Sequence, residues 1–458
     1  MFSEKTIVAV ATAYGEGGIG IVRLSGDKSK EILHKIFVPA KETSLQNRKL
    51  TYGVIKDPST GEVIDEVLAV FFPSPNTYTR EDVVEINCHG SVVSLRKTLE
   101  LALKLGAQLA ESGEFTKRAF LNGRLDLTQA EAVIDLIKAK TDKSFESAFS
   151  QLEGSLSFKV REIREALMNL LVQITVNLDY PDEDIEEITY ADLLDGISQI
   201  GDMIEKLLST ADTGRIIRDG LKVVISGSPN VGKSSLLNAL LRESRAIVTE
   251  IPGTTRDTIE ESMSIRGIPI RLVDTAGIRY TDDKIEQIGI EKSKQAFNEA
   301  DLIIFMIDGS LSLSDDDVAL LKHIEDKKAI VLINKIDIGK VVDEKQVLKM
   351  LPNTDILNAS VIGDIGIDAL KDKIEAMVYD GSVKQGESLL VTNARHKDLL
   401  IRAESAINDA KNMTLKKEAL DFIEVDVRLC WELLGEIIGE TATEDIIDEV
   451  FANFCLGK

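Results

Sequence analysis

The segment 221–241, LKVVISGSPNVGKSSLLNALL, holds the most specific chemistry in the chain. A buried-type strand runs into Gly227-x-x-x-x-Gly232-Lys233-Ser234 and then into a helical pattern. Glycines at this spacing let backbone N–H groups wrap phosphates at a helix N-terminus. Lys233 is expected to reach the β- and γ-phosphates, and the Ser234 hydroxyl to bind Mg²⁺. A second segment, VLINKID, sets Asn334-Lys335-x-Asp337 after a run of Ile and Val. The Asp337 carboxylate can accept from guanine N1–H and the 2-amino group. Adenine lacks that donor pair and would leave the carboxylate unpaired. Together the two segments predict a site for GTP rather than ATP. A third base-side motif, usually Ser-Ala, falls on Ser360-Val361 with one residue departing.

The γ-phosphate side is predicted from LVDTAGIRYTDDKIEQIG, residues 272–289. Asp274 is expected in the Mg²⁺ shell, and the Gly277 N–H at the γ-phosphate. Thr255, in IPGTTRD, is expected to close on Mg²⁺ from a mobile loop, so Ser234 and Thr255 are the candidate metal ligands. The expected GTP contacts are Asn230, Val231, Gly232, Lys233, Ser234 and Ser235; Thr249, Glu250, Ile251, Pro252, Gly253, Thr254 and Thr255; Asp274, Thr275, Ala276 and Gly277; and Asn334, Lys335 and Asp337. One part is missing. In Ras-like GTPases a glutamine after the Gly of this loop orients the attacking water, whereas here Ile278 follows Gly277. An isoleucine cannot hold a water.

The elements that must position these residues read as follows. Residues 217–378 alternate strand and helix, as an α/β domain should. Residues 1–118 carry short runs rich in Val and Ile, such as TIVAVAT, GIGIVRLSG, EVLAVFF and DVVEINCHG, bounded by Gly, Pro or Asp. The helix SVVSLRKTLELALKLG is predicted to end at Gly106. Residues 119–216 and 379–458 are helical, so the α/β unit is inserted in a helical region. Such insertions are easy because the ends of a compact domain usually lie close together. Thr128 with Glu131 is expected to cap the helix that starts there. GEGGIG, from Gly15 to Gly20, matches a dinucleotide fingerprint, but the strand-like IVRLSG follows where a helix is required. It reads as a glycine turn between strands.

Composition bounds the partners. The chain has 458 residues and a net charge of −23, with 44% hydrophobic and 29% charged residues. Such an acidic protein does not coat nucleic acid by electrostatics alone, so an RNA substrate needs a local basic surface or a basic partner. Cys88, Cys430 and Cys455 imply no disulfide framework and fit a reducing cytoplasm. No signal peptide and no membrane-length apolar run is read. Cys88-His89 could suggest a catalytic dyad, but adjacent strand residues point to opposite faces, and the pair reads as structural.

The chain resembles the MnmE (TrmE) family of tRNA modification GTPases over nearly its whole length. The resemblance rests on GEGGIGIVRLSG, FPSPNTYTREDVVEINCHGS, GEFTKRAFLNGRLDLTQAEAVIDLI, PNVGKSSLLNAL, GTTRD and FCLGK. It implies a multidomain α/β plus α architecture: an α+β N-terminal folate-binding and dimerising domain, a helical domain in two parts, and an inserted Ras-like P-loop GTPase domain with a mostly parallel sheet and helices on both faces. It further implies a cytoplasmic homodimer that forms a heterotetramer with an MnmG-type FAD-containing partner. The pair would build a carboxymethylaminomethyl or aminomethyl group on C5 of the wobble uridine of certain tRNAs. The one-carbon unit would come from a tetrahydrofolate derivative, in its 5,10-methylene or 5-formyl form.

The same resemblance implies an answer to the missing glutamine. K⁺ would sit on the Asn230 side chain, the carbonyls of Thr249 and Ile251, and Thr254, and stimulate hydrolysis when G domains pair. A cation placed there offsets developing phosphate charge, an effect worth roughly 10³–10⁵ in rate when an arginine supplies it. Glu286 would orient the water. The implied folate residues are Arg23, Glu85, Arg124 and Lys458. A carboxylate at Glu85 suits the pterin donors, and basic residues suit the glutamyl tail. The final FCLGK then has four readings: a prenylation site, a Cys455 nucleophile, a frayed tail, and a tail that brings Lys458 to the folate. The acidic run before it and the terminal Lys458 oppose prenylation. A rival function, a ribosome-assembly switch of the same P-loop class, would call for an appended RNA-binding module, and none is read here.

Overall fold

The computed structural model describes residues 5–13, 15–41, 45–179, 189–243, 262–273, 297–379, 391–455 and 457. Two compact units are formed, one from residues 1–134, 151–188 and 419–458, the other from 135–150 and 189–418. Among the described residues no helix is long and apolar enough to cross a membrane.

The first unit is built on a seven-stranded sheet of order β3-β4-β5-β6-β2-β1-β7. Its strands are β1 Ile7–Val10, β2 Gly17–Ser25, β3 Phe37–Pro39, β4 Thr51–Lys56, β5 Val63–Phe72, β6 Val83–Gly90 and β7 Gln108–Leu109. All neighbours are antiparallel except β1 and β7. Period-two alternation decides which face is buried. On β6, Val84, Ile86 and Cys88 enter the core with Val22, Leu24, Val67 and Ala69, while Glu85, Asn87 and His89 take the other face. Helices α1 Ser29–Ile36 and α2 Val92–Lys104 cover the core face with Ile32, Leu33, Ile36, Leu95 and Leu101. As expected, α2 stops just before Gly106, whose φ of 100° a side chain would resist.

Helices α3 Glu114–Leu121, α4 Leu127–Lys138, α5 Asp142–Leu152 and the 25-residue α6 Ser155–Asp179 follow, of which α5 falls mainly in the second unit. The cap expected from Thr128 and Glu131 is not the one formed. Asp126 accepts from the Gln129 N–H at 3.0 Å, and the Gln129 side chain accepts from the Asp126 N–H at 3.0 Å. Thr128 is fully buried and bonded to Ser157 at 2.7 Å, and Glu131 is 5% exposed. Tertiary packing therefore moves the box two residues towards the N-terminus. The last helices, α14 Leu420–Ile438 and α15 Glu444–Ala452, complete this unit: α14 packs on α6, and Phe451 and Phe454 pack against Leu127, Ala130 and Ile134.

The second unit carries a six-stranded sheet of order β13-β12-β11-β8-β10-β9. The strands are β8 Leu221–Gly227, β9 Ser262–Ile265, β10 Ile268–Leu272, β11 Leu302–Asp308, β12 Ala329–Asn334 and β13 Asp355–Asn358. Every pairing is parallel except β9 with β10. A parallel sheet needs cover on both faces, hence its unbroken apolar strands. Val223, Ile225, Ile304, Met306, Ile330 and Leu332 face one core. Val224, Ile303, Phe305, Ile307, Val331 and Ile333 face the other. Helices α7 Tyr190–Leu208, α8 Ala211–Asp219, α9 Lys233–Glu243, α10 Asp315–His323, α11 Glu344–Met350, α12 Ile367–Val378 and α13 Ala394–Lys416 belong to this unit. The chain enters the sheet after α8 and returns at Val391, whose N–H donates to Thr210 Oγ1 at 3.2 Å. Gly214 makes this close pass possible, since a Cβ there would stand 2.0 Å from the Val391 carbonyl oxygen.

Candidate functional site

The loop between β8 and α9 lies at the C-terminal edge of the parallel sheet, where open α/β sheets bind ligands. Three residues of the segment take positive φ: Gly227 at 142°, Asn230 at 60° and Gly232 at 105°. A Cβ on Gly227 would stand 2.2 Å from the Met306 carbonyl oxygen, and one on Gly232 would stand 2.5 Å from Asn334 Nδ2. Both glycines are thus required by close approach as well as by φ. Lys233 Nζ donates to the Gly227 and Ser228 carbonyls at 2.8 and 2.9 Å. Burial holds its ammonium below the usual lysine range, and Asp317 opposes that shift. Val231 is buried, and Ser234 and Ser235 open α9 with exposed side chains.

The base-side segment is tied directly to this loop. Asn334 ends β12 and is 3% exposed. Its Nδ2 donates to the Val231 carbonyl at 2.8 Å. Its Oδ1 accepts from the Val361 N–H at 3.0 Å. One amide therefore joins segments that are far apart in sequence, and Ser360-Val361 meets the site through its backbone, which tolerates the departure from Ser-Ala. Lys335 has a φ of 63° and its Nζ reaches Asp308 Oδ2 at 2.6 Å. Burial opposes the Asp308 charge, but Lys335 and Ser310 outweigh it and hold the carboxyl below its usual range. Asp337 is exposed at the mouth of the segment. Asp308 escaped the sequence reading; its only signal was its place at the end of an apolar strand.

Several expected site residues lie outside the described residues: Thr249, Glu250, Ile251, Pro252, Gly253, Thr254, Thr255, Asp274, Thr275, Ala276, Gly277, Glu286 and Lys458.

The folate candidates fall in the first unit. Arg23 and Glu85 are cross-strand partners, with Arg23 Nε 2.9 Å from Glu85 Oε1. The guanidinium also lies 5.7 Å from the Phe115 ring centroid. Phe115 packs with Tyr78, whose carbonyl accepts from Arg124 at 3.1 Å and whose ring lies under the Arg124 guanidinium at 4.6 Å. So Arg23, Glu85 and Arg124 are linked through Phe115 and Tyr78, two aromatics that the sequence reading passed over. The tail docks on the same unit. Gly113 N–H donates to the Cys455 carbonyl at 3.3 Å, and Gly457 lies against the Val10 carbonyl. The described part of FCLGK is therefore packed, not frayed. Cys455 is exposed.

Cys88 and His89 do point to opposite faces. Cys88 is buried, and burial pushes its thiol up to about 11. His89 is exposed and pairs with Asp65 at 2.6 Å, a hydrogen bond that raises its pKa above the ordinary histidine value. Burial likewise pushes the Cys430 thiol up to about 12. Neither thiol is poised to act as a nucleophile.

Comparison with known proteins agrees along the whole chain. Residues 6–124 match the family model described as the GTP-binding protein TrmE N-terminus, and residues 127–455 match the MnmE helical domain. A protein of Alkaliphilus oremlandii named tRNA modification GTPase MnmE is 53% identical over 100% of both chains. One of the same name from Clostridioides difficile is 52% identical, again over 100% of both. Among solved structures, the G domain of the T. maritima FeoB iron transporter is 28% identical, covering 34% of this chain and 96% of its own, with a TM-score of 0.25.

Proposed function

This chain belongs to the MnmE family of tRNA modification GTPases, and from that premise we propose a K⁺-stimulated GTPase cycle that drives modification at C5 of the wobble uridine. In this reading Lys233 and the loop 230–235 hold the phosphates, and Ser234 and Thr255 hold Mg²⁺. Asn334, Lys335 and Asp337 select guanine. Asn230, Thr249, Ile251 and Thr254 hold K⁺, and Glu286 orients the attacking water. The observation that supports the nucleotide half best is the Asn334 amide, which binds the phosphate loop and the base-side backbone into one site. The four-part division at 118, 216 and 378 is kept as part of the proposal.

For the modification half, Arg23, Glu85, Arg124 and Lys458 bind a tetrahydrofolate derivative that supplies the carbon unit. Glu85 already accepts from Arg23. A pterin would therefore share the carboxylate with the arginine, which still leaves acceptor positions open on a carboxylate. A homodimer works with an FAD-containing partner of the MnmG type. The net charge of −23 supports a partner that supplies most of the tRNA contact.

The direct test is mass analysis of wobble uridine in tRNA from cells lacking this chain. Loss of the aminomethyl-type groups is expected, and an unchanged uridine population would overturn the proposal. The cation is tested separately. Replacing Na⁺ by K⁺ at constant ionic strength is expected to raise GTP hydrolysis strongly, and equal rates in the two salts would remove the K⁺ cage.

A further inference from the structure

Ser228 follows the first glycine of the phosphate loop, and its hydroxyl is not needed by the backbone chemistry of that loop. Its Oγ donates to Asp317 Oδ1 at 2.5 Å. Asp317 is 7% exposed, in the first turn of α10. Its other oxygen accepts from the Ser314 N–H at 3.1 Å and the Ser314 hydroxyl at 2.8 Å. Its own N–H returns a bond to Ser314 Oγ at 3.1 Å. This reciprocal capping box uses one carboxylate oxygen. The second oxygen is committed to the loop.

The loop has reason to need such an anchor. Positive φ at Asn230, a residue with a side chain, is costly and persists only where the surroundings over-determine it. Asn334 holds the C-terminal half through the Val231 carbonyl. At the N-terminal half, Lys233 Nζ spans the Gly227 and Ser228 carbonyls. That lysine is the group expected to turn to the β- and γ-phosphates when nucleotide arrives. An ammonium has three donors, so serving both phosphates leaves at most one for these two carbonyls. The Ser228–Asp317 bond does not compete with phosphate and can persist in both states.

We propose that Asp317 is a positioning residue for GTP: acting through the Ser228 hydroxyl, it holds the N-terminal half of the phosphate loop in its anion-binding shape before nucleotide arrives. A loop ordered in advance has less freedom to lose on binding. The inference rests on the reading of 227–234 as the phosphate loop. It concerns both GTP and GDP, because the anchor lies away from the γ-phosphate chemistry.

The test uses the full chain, fluorescent GTP and GDP analogues, steady-state hydrolysis and thermal unfolding. Ser228→Ala removes a hydrogen bond to a charged group and is expected to weaken both nucleotides about tenfold. It raises KM while leaving kcat at saturating GTP near the parent value, the pattern of lost uniform binding. Ser228→Thr, which keeps the hydroxyl, restores affinity. Ser314→Ala removes the cap without touching the loop, so it lowers the unfolding temperature without moving nucleotide affinity. In an Asp317→Ala background, Ser228→Ala has no further effect on affinity. Parent-like affinity of Ser228→Ala overturns the proposal, and so do losses that multiply in the double variant. If Asp317→Ala does not fold, the Ser228 pair still decides. Failure of the parent chain to bind GTP would instead overturn the reading of the loop itself.

Discussion

Asp337→Asn is expected to turn nucleotide preference from GTP towards XTP by on the order of 10⁴-fold in the ratio of affinities. The carboxylate in Asn334-Lys335-x-Asp337 accepts two hydrogens, from guanine N1 and from the 2-amino group. Asparagine offers one acceptor and one donor pair. Against guanine, its NH₂ group would face the 2-amino donor and leave both unpaired. Xanthine carries an oxygen at C2 and keeps the hydrogen on N1, so the amide matches it at both positions. The exchange is nearly isosteric, and Asp337 is exposed, so the fold bears little of the change. The phosphate loop is untouched, because its link to this segment runs through Asn334 rather than Asp337. Competition of GTP and XTP for the same labelled nucleotide measures the ratio. A variant that still prefers GTP would show that Asp337 does not read the base.

The second large effect is expected at the other end of the chain. Gly457→Ala should abolish most wobble-uridine modification while leaving GTP hydrolysis nearly intact. Gly457 has a φ of 88°, and a Cβ would stand 2.2 Å from the Val10 carbonyl oxygen and 3.1 Å from its carbon. The atoms in the way are backbone in β1, which cannot yield as a flexible side chain can. The tail must therefore lift. Val10 is one residue from Ala9, the cross-strand partner of Arg23. On the proposed folate reading, a lifted tail would withdraw the Lys458 contact that the cofactor requires. Losing a charge-assisted contact of about 1.5–3 kcal/mol predicts a roughly 10- to 150-fold loss of folate affinity. Deleting 455–458 should do the same. Cys455→Ser separates the readings: it spares the tail position and should keep modification if Lys458 is the working group. Folate titration, tRNA mass analysis and GTP hydrolysis on each variant supply the comparison. Normal modification by the deletion variant would remove the tail from both folate binding and catalysis.

Much of the nucleotide site was legible because its chemistry is written in contiguous stretches. Gly227 to Ser234 carries its own glycines, lysine and serine, and the proposed wrapping needs only backbone N–H groups. The apolar strands before Gly227 and Asn334 were equally plain, since a parallel sheet buried on both faces leaves uninterrupted Val and Ile. The helix cap shows where such reading stops. Asp126–Gln129 and Thr128–Glu131 both fit a capping pattern, and local sequence does not choose between them. Burial of Thr128 and Glu131, with Thr128 bonded to Ser157, makes the choice.

What the sequence determined by itself is the chemistry each short segment can perform: phosphate wrapping, guanine selection, strand alternation and the stop of α2 at a glycine. These depend on residue type and on spacings of a few residues, which backbone geometry converts directly into shape. Only the tertiary structure decided which segments share a site. It joined Asn334 to Val231 and Val361, Asp317 to Ser228, Arg23 to Glu85, and Gly457 to Val10. Each of these pairs is set by sheet register or by helix packing over long sequence separations. Many partners of the same type would satisfy a lone amide, carboxylate or glycine equally well. The folded core selects one because burying the apolar faces of both sheets leaves a single register in which all of them are covered at once.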